Sequence, residues 1–421
     1  MLTNTTNVKT IKSGPISAFG GANFVFDYLN KIKIDQPCTD CLPPMVNQSK
    51  YNWKDIFYSL KSVYLCGGDC IEDLQTNLKS HFLDNPFIKL AEPIQTCKTK
   101  RGAVTHQYCA NTKLERLNIE ILEGIGVFNP GILTVDYDNT IIFNEKQDSQ
   151  MTYKRDYGYQ PGVCTLNEGH ILYIENRNGN SDAKSFQKET LTRVFDLLGS
   201  KKTNNFRADA ASYQHEVISF LETKVDNFYI GCRNDYIEKY FPEVSHWEEM
   251  KDKDGPIEVG TIEIYPFERQ SREKGLETKK YRLAVKRKLK NNRQIDLITQ
   301  DAYEYRAIIT NDFDQDTKSV VGFHNQRGNM ERQFDILKND FGWNNMPFST
   351  LNKNLVFLYF TAIFRNLYSK IILYFSKRNK FLKPSFRMKK FIFRFITLPA
   401  KWIKQSRQFK LRIYTSKDYQ T

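Results

Sequence analysis

The sequence predicts a mixed α/β fold organised around one sheet, and three observations predict it. From Ile132 to Phe143 the residues alternate with period two, placing Thr134, Asp136, Asp138 and Thr140 on one face and Leu133, Val135 and Tyr137 on the other. The segments that follow read strand, helix, strand, helix, strand, an order that builds a mixed sheet with helices packed against it. Between residues 236 and 314 lie further β-leaning runs, Ile257 to Tyr265, Tyr281 to Val285 and Tyr305 to Thr310, separated by charged turns.

The elements can be justified in chain order. Residues 1–125 read as a helical region. Gly20-Gly21 and Pro43-Pro44 punctuate its start, and Asp69 with Glu72 three residues later predicts a capping box after the Gly67-Gly68 turn. Ile71, Leu74, Leu78 and Phe82 then recur at helical spacing, and a further helix is expected over Leu114 to Leu122. The core begins with the strand at 132–143 and continues with a strand over His170 to Glu175, the Asn178-Gly179 turn and a helix over Ala183 to Leu198. A short strand ends near Asp209, a helix covers about Gln214 to Glu222, and a strand covers Asn227 to Cys232. This divides the chain into a helical region (1–125), a first core segment (126–235), a β-rich insertion (236–314), a closing core segment (315–350) and a basic helical tail (351–421).

Composition narrows the function classes. The 421 residues carry a net charge of +14, but residues 1–350 come to −2. The last 71 residues hold 17 Lys and Arg against the single acid Asp418, which implies a local contact with a polyanion. The polar N-terminus gives no secretory signal. Leu355 to Phe364 is interrupted by Arg365, short of the ~20 residues that span a bilayer. Eight scattered cysteines do not form a disulfide scaffold, and a reducing cytoplasm is expected.

The segment from His324 to Lys338 carries the most chemical information. On a helix, Arg327, Glu331 and Lys338 fall within about 40° of one another, while Met330, Phe334, Leu337 and Phe341 form an adjacent apolar stripe. A carboxylate flanked by two cations can serve a metal ion and the phosphate it acts on. Spacing alone favours a plainer reading, a surface helix with an i,i+4 Arg–Glu pair worth ~0.3–0.5 kcal/mol.

The spacing Y-x2-R-x3-E-x6-K resembles the YREK signature of the DDE transposases of bacterial insertion sequences, whose core is similar to RNase H. Arg327, Glu331 and Lys338 stand in register, and His324 stands where the signature has Tyr. Asp138-Asn139-Thr140 is similar to the family's first catalytic Asp, with Asp136 on the same face as the fallback. Arg207-Ala208-Asp209 is similar to the second, and Asp156-Tyr-Gly-Tyr-Gln-Pro161 to the Gly-Tyr…Pro stretch. The 121 residues between Asp209 and Glu331 leave room for the insertion that marks this branch.

What the resemblance implies is specific. Asp138, Asp209 and Glu331 would be the catalytic residues and the ligands of two Mg2+ ions per active site, with Mn2+ able to substitute. Carboxylates suit such hard ions. His324, Arg327 and Lys338 would contact DNA. Water would attack at the element end, and the freed 3′-hydroxyl would attack either the opposite strand or target DNA. The partners would be double-stranded DNA, as inverted repeats and target, and a second copy of the chain, in the bacterial cytoplasm at the nucleoid. A nuclease of the same fold and a non-catalytic DNA-binding derivative are the alternatives.

In the tail, Lys377, Arg378, Lys380, Lys383, Arg387, Lys389, Lys390 and Arg394 alternate with Phe381, Phe386, Phe391 and Phe393. Taken alone, the pattern suits DNA or a membrane surface, and the catalytic motifs turn it toward DNA, with Lys389 and Lys390 as contacts. Leu355 to Leu373 could instead dimerise. Cys38, Cys41, Cys66 and Cys70 have irregular spacing and no His pair nearby, which argues against structural zinc. No G-x-x-x-x-G-K-[ST] occurs and Gly124-Ile-Gly126 precedes its strand, so no nucleotide cofactor is expected.

Overall fold

The computed structural model describes residues 13–86, 89, 108–167, 169–252, 255–290, 295 and 302–415. These form two compact units. A helical unit comprises the described residues up to 89 with 339–347 and 364–415, and a sheet unit comprises 108–338 with 348–363.

The helical unit begins with α1 (Gly21–Lys31), α2 (Gln36–Cys41), α3 (Trp53–Leu65) and α4 (Lys79–Phe82). Its capping box belongs to α3, where Asn52 accepts from the Asp55 N–H and Asp55 accepts from the Asn52 N–H. The box expected at Asp69 and Glu72 does not form. Asp73 takes that role, its carboxylate accepting from the N–H groups of Asp69 (2.8 Å) and Cys70 (3.2 Å). Leu74, Leu78 and Phe82 are buried as their spacing requires.

The sheet unit opens with β1 (Tyr108–Cys109) and α5 (Thr112–Gly124). Helical spacing alone groups α5 with the N-terminal helices. It packs instead on the sheet, because buried Asn118 donates to the carbonyls of Ile171 and Leu172, both at 2.8 Å. Next come β2 (Thr134–Asn139), a small side sheet of β3 (Ile142–Phe143), β4 (Gln150–Met151) and β5 (Tyr157–Tyr159), then β6 (Gly162–Leu166) and β7 (His170–Arg177). The chain continues through α6 (Gln187–Leu198), β8 (Thr203–Ala208), α7 (His215–Leu221), β9 (Val225–Gly231) and α8 (Asn234–Ile237). β10 (Glu248–Asp252), β11 (Gly255–Ile264), α9 (Glu268–Glu273), β12 (Tyr281–Leu289) and β13 (Tyr303–Thr310) follow, then α10 (Thr317–Asn325) and α11 (Asn329–Asp340). Helix α6 starts later than expected, since Asp182 accepts from the N–H groups of Lys184 and Ser185 and holds a turn there.

One ten-stranded sheet results, in the order β1-β7-β6-β2-β8-β9-β13-β12-β11-β10, with β2/β8 and β8/β9 parallel and the other pairs antiparallel. This is the mixed α/β, RNase-H-like architecture that the sequence predicts. The β-rich insertion is not a separate layer, because β13 pairs with β9 and carries the same sheet onward. Helix α10 seats on this end of the sheet through Val320 and Val321, packed with Tyr229, Ile257, Val259, Ala284 and Ile308.

Beyond α11 runs α12 (Leu351–Ser376), whose residues divide between the two units. It is 26 residues long, and among the described residues it is the one helix long and apolar enough to cross a membrane. Its apolar window is 78% buried within the chain, the mark of a core helix. The helical unit is completed by α13 (Met388–Phe391) and, where a helical tail was expected, by a hairpin of β14 (Ala400–Gln405) and β15 (Gln408–Ile413). Tail aromatics divide by role. Phe391 and Phe395 are core residues stacked at 5.2 Å, whereas Phe381 and Phe393 are exposed.

Gly342 ends α11 at φ +75°, and an added Cβ would overlap the Tyr64 hydroxyl and lie 2.9 Å from its ring. Gly342→Ala should therefore cost about 2–4 kcal/mol of stability in urea unfolding, and a loss under 1 kcal/mol would show that the turn can shift.

Candidate active site

Parallel pairing of β2 with β8 sets Asp136 opposite Arg207 and Tyr137 opposite Ala208. The next residues of the two strands, Asp138 and Asp209, therefore leave the sheet side by side at its carboxyl edge. Strand β2 is buried through Tyr137 and half-buried at Asp138, so the carboxylate sits where the core opens. Asp209 caps a short turn over Ala210–Ser212, accepting from the Ala211 N–H at 3.0 Å. Gly231, ending β9, allows this turn a close approach, since a Cβ there would meet the Ala210 nitrogen at 3.2 Å.

Asp136 and Asp138 have different fates. Asp136 is 2% exposed, and both its oxygens accept from Arg207, at 2.6 Å from Nε and 2.8 Å from Nη2. Burial pushes its carboxyl up against the pull of Arg207. Arg207 also donates to the Phe323 carbonyl at 2.8 Å and lies over the Phe323 ring, which ties the end of α10 to the sheet. The Asp138 carboxylate accepts from its neighbour's N–H (Asn139) at 2.8 Å and from Arg327 Nη1 at 2.9 Å.

Arg327 lies in the short turn between α10 and α11, so seating α10 places it over β2. Its Nε is buried without a hydrogen-bond partner in the described structure. Glu331, in the first turn of α11, is exposed. Lys338, one face further along, donates to the Ile141 carbonyl just past β2 at 2.7 Å. Burial lowers its ammonium, as does Lys154 beside it. Met330, Phe334 and Leu337 are buried, as the apolar stripe predicts.

His324 turns its Nε2 to the Ala208 carbonyl at 3.1 Å, so that nitrogen carries the hydrogen. Burial and the cations Arg327, Lys286 and Arg207 hold its pKa down to about 4. A neutral ring bonded to β8 braces the end of α10. The expected tail residues Lys389 and Lys390 are exposed on α13, in the helical unit. Arg387, from the same basic run, is tied to Asp340 at 3.0 Å. Sequence reasoning missed the pairing of Arg207 with Asp136 and the proximity of Lys154 to Lys338. The first was detectable, since an Arg two residues before a strand-end Asp, opposite an Asp on a parallel neighbour, falls in register.

Burial, then Asp209, and to a lesser extent Glu331 raise the Asp138 carboxyl to about 7, against the opposing pull of Arg327. Acids from a second strand end and from a helix thus act on Asp138, the latter from 193 residues further along the chain. A family model of the transposase DDE domain, group 1, matches residues 7–421. The chain belongs to the DDE transposase family. No curated protein matches it.

Members of this family generally use divalent metals, and the donor set of this transposase domain fits a hard cation. Its oxygens are carboxylates, and burial, with Asp209 and then Glu331 nearby, holds the Asp138 carboxyl up to about 7. Among the described residues, no three His, Cys, Asp or Glu side chains form a ready-made metal cage. Burial pushes the Cys38 thiol up to about 12 and raises that of Cys66 as well.

The raised Asp138 makes stability depend on pH. Its folded carboxyl keeps the proton to about pH 7, while an unfolded one releases it near 3.8. Between those values the native state binds more protons than the unfolded state, so stability falls as pH rises through the window. Asp138→Asn removes this term. In metal-free urea titrations, the stability of the variant relative to the wild type should rise from pH 4 to pH 7 by up to ~4 kcal/mol. A difference that stays flat would mean Asp138 ionises as in water.

Proposed function

We propose that this DDE transposase is the enzyme of a bacterial insertion sequence, of the YREK branch, that moves DNA by cut-and-paste. It binds double-stranded element ends in the cytoplasm as a homodimer, since two ends need two active sites. Asp138, Asp209 and Glu331 are its catalytic carboxylates and the holders of Mg2+. The observation that carries this reading is the electrostatic coupling of Asp138 to both Asp209 and Glu331 at the carboxyl edge of parallel strands.

Strand cleavage and joining are in-line displacements at phosphorus. Bound Mg2+ ions would supply charge neutralisation for the attacking and leaving oxygens. The chain's own residues do the rest. Arg327 has a buried donor, Nε, still to satisfy, and a phosphate oxygen is the acceptor that suits it. Lys338, held by Ile141, sets a second cation at the same edge, with Lys154 beside it. This reading takes Asp138 over Asp136 as the first carboxylate, because freeing Asp136 from Arg207 would break a buried ion pair at a cost of ~3–5 kcal/mol.

The test uses element-end duplex with Mg2+, followed by a target plasmid. Asp138→Asn, Asp209→Asn and Glu331→Gln should each slow nicking by about 10³-fold or more, and duplex affinity should change little. Asp136→Asn should instead lower stability. Nicking at full rate by the three variants would remove the proposed site. A wild type that binds without nicking would be a non-catalytic derivative, and one that nicks without joining would be a nuclease.

Lys338→Ala should slow nicking about tenfold or more while leaving metal-dependent thermal shifts unchanged. Full-rate cutting would show that Lys338 only supports the Ile141 turn.

A further inference from the structure

The hairpin β14–β15 is fixed at its base and exposed at its tip. Ser17 and Ala400 exchange two backbone hydrogen bonds of 2.8 Å, and the Tyr414 N–H donates to the Pro399 carbonyl at 2.8 Å. Trp402 and Leu411, opposite one another, turn inward to line a small cavity with Pro15 and His81. From Lys404 to Lys410 every residue is exposed. A lone two-stranded ribbon gains little stability from its own pairing, so the projecting part serves something other than the core.

Its charge indicates what that is. Residues 400–415 contain Lys401, Lys404, Arg407, Lys410 and Arg412 and no acid. Register places Lys401 opposite Arg412, Ile403 opposite Lys410 and Gln405 opposite Gln408 on one face. Like charges directly opposite one another repel, and nothing on the ribbon neutralises them. The turn adds a second cost. Ser406 and Arg407 have φ of +51° and +62°, the two positive values of a hairpin turn that Asn-Gly adopts more easily. The strain sets a guanidinium at the extreme tip.

We propose that this hairpin is a duplex-DNA-binding ribbon, its basic face set into the major groove with its cations on the phosphates. A two-stranded ribbon fits a groove about 12 Å wide, and glutamine side chains at the tip match the donors and acceptors of base edges. The only apolar residue on the basic face is Ile403, too little to insert into a lipid interface. The inference rests on the reading of the chain as a DNA-binding enzyme, and names a contact outside the catalytic unit.

The test is a salt titration of full-length protein binding a 30-base-pair duplex, followed by anisotropy. Replacing Arg407, Lys410 and Arg412 by Ala should weaken binding at least tenfold at moderate salt. It should also reduce the log–log salt slope by up to ~2.7, about 0.9 per phosphate contact. A control replacing the exposed Lys188, Lys224 and Lys251 of the sheet unit should change neither. Ser406→Asn with Arg407→Gly should melt no lower than the wild type and still bind more weakly with a smaller slope, which separates contact from folding. If the wild type binds duplex and both hairpin variants match it, the ribbon inference is wrong and the DNA reading stands. Loss of binding only to anionic vesicles would overturn it in favour of a membrane surface. A wild type that binds no duplex would remove the DNA reading and this inference with it.

Discussion

The bidentate pair of Asp136 with Arg207 organises the sheet edge that carries the candidate site. It lies across two parallel strands at 2% exposure of the carboxylate, where a lone charge would be costly and a paired one fixes register. A slip of one residue would turn Asp138 to the opposite face of β2. The same guanidinium reaches the Phe323 carbonyl, so the interaction that sets the strands also sets the end of α10. From that corner the chain turns through Arg327 into α11 and brings Glu331 toward the strand ends. One buried pair thus fixes both the strand register and the end of α10 from which Arg327 and α11 follow.

Against that rigid pair stands a deliberately unbalanced one. Asp138 has a cation at 2.9 Å and yet holds its proton to about pH 7, because burial and two acidic neighbours outweigh Arg327. A site built for stability would add a second cation or solvate the acid. This one concentrates negative charge and leaves a buried guanidinium nitrogen without an acceptor. Such an arrangement is completed by ligands of both signs, a cation for the carboxylates and an anion for the arginine. On the proposed reading, a metal-bound phosphodiester would supply both.

Much of this was legible in the sequence, and the parts that were not have physical reasons. The alternation through Asp138, the strand ending near Asp209 and the stripe of Met330, Phe334 and Leu337 are local signals, and each corresponds to an element that formed. Strand β6 gave no such signal. Gly162–Leu166 is buried along its whole length, so no polar residue marks its period. The insertion read as β-rich, but local patterns do not tell which edge a strand joins, and its continuity with β9 depends on pairing across 70 or more residues. The tail failed for another reason. Its Lys-Phe alternation suits a helix or a ribbon equally, and burial of Phe391 and Phe395 in the core separates the segment that stays helical from the hairpin that follows.

The proposed catalytic acids and the surplus positive charge belong to different units. All three acids and the cations facing them belong to the sheet unit, while the Lys- and Arg-rich residues from 364 onward belong to the helical one. This separation has an energetic logic. Charges that hold a phosphodiester in a low-dielectric site must be few and fixed, because each one shifts the ionisation of its neighbours, as Asp138 already shows. Charges that hold a long duplex can be many and exposed, since each contributes through counterion release and none needs an exact position.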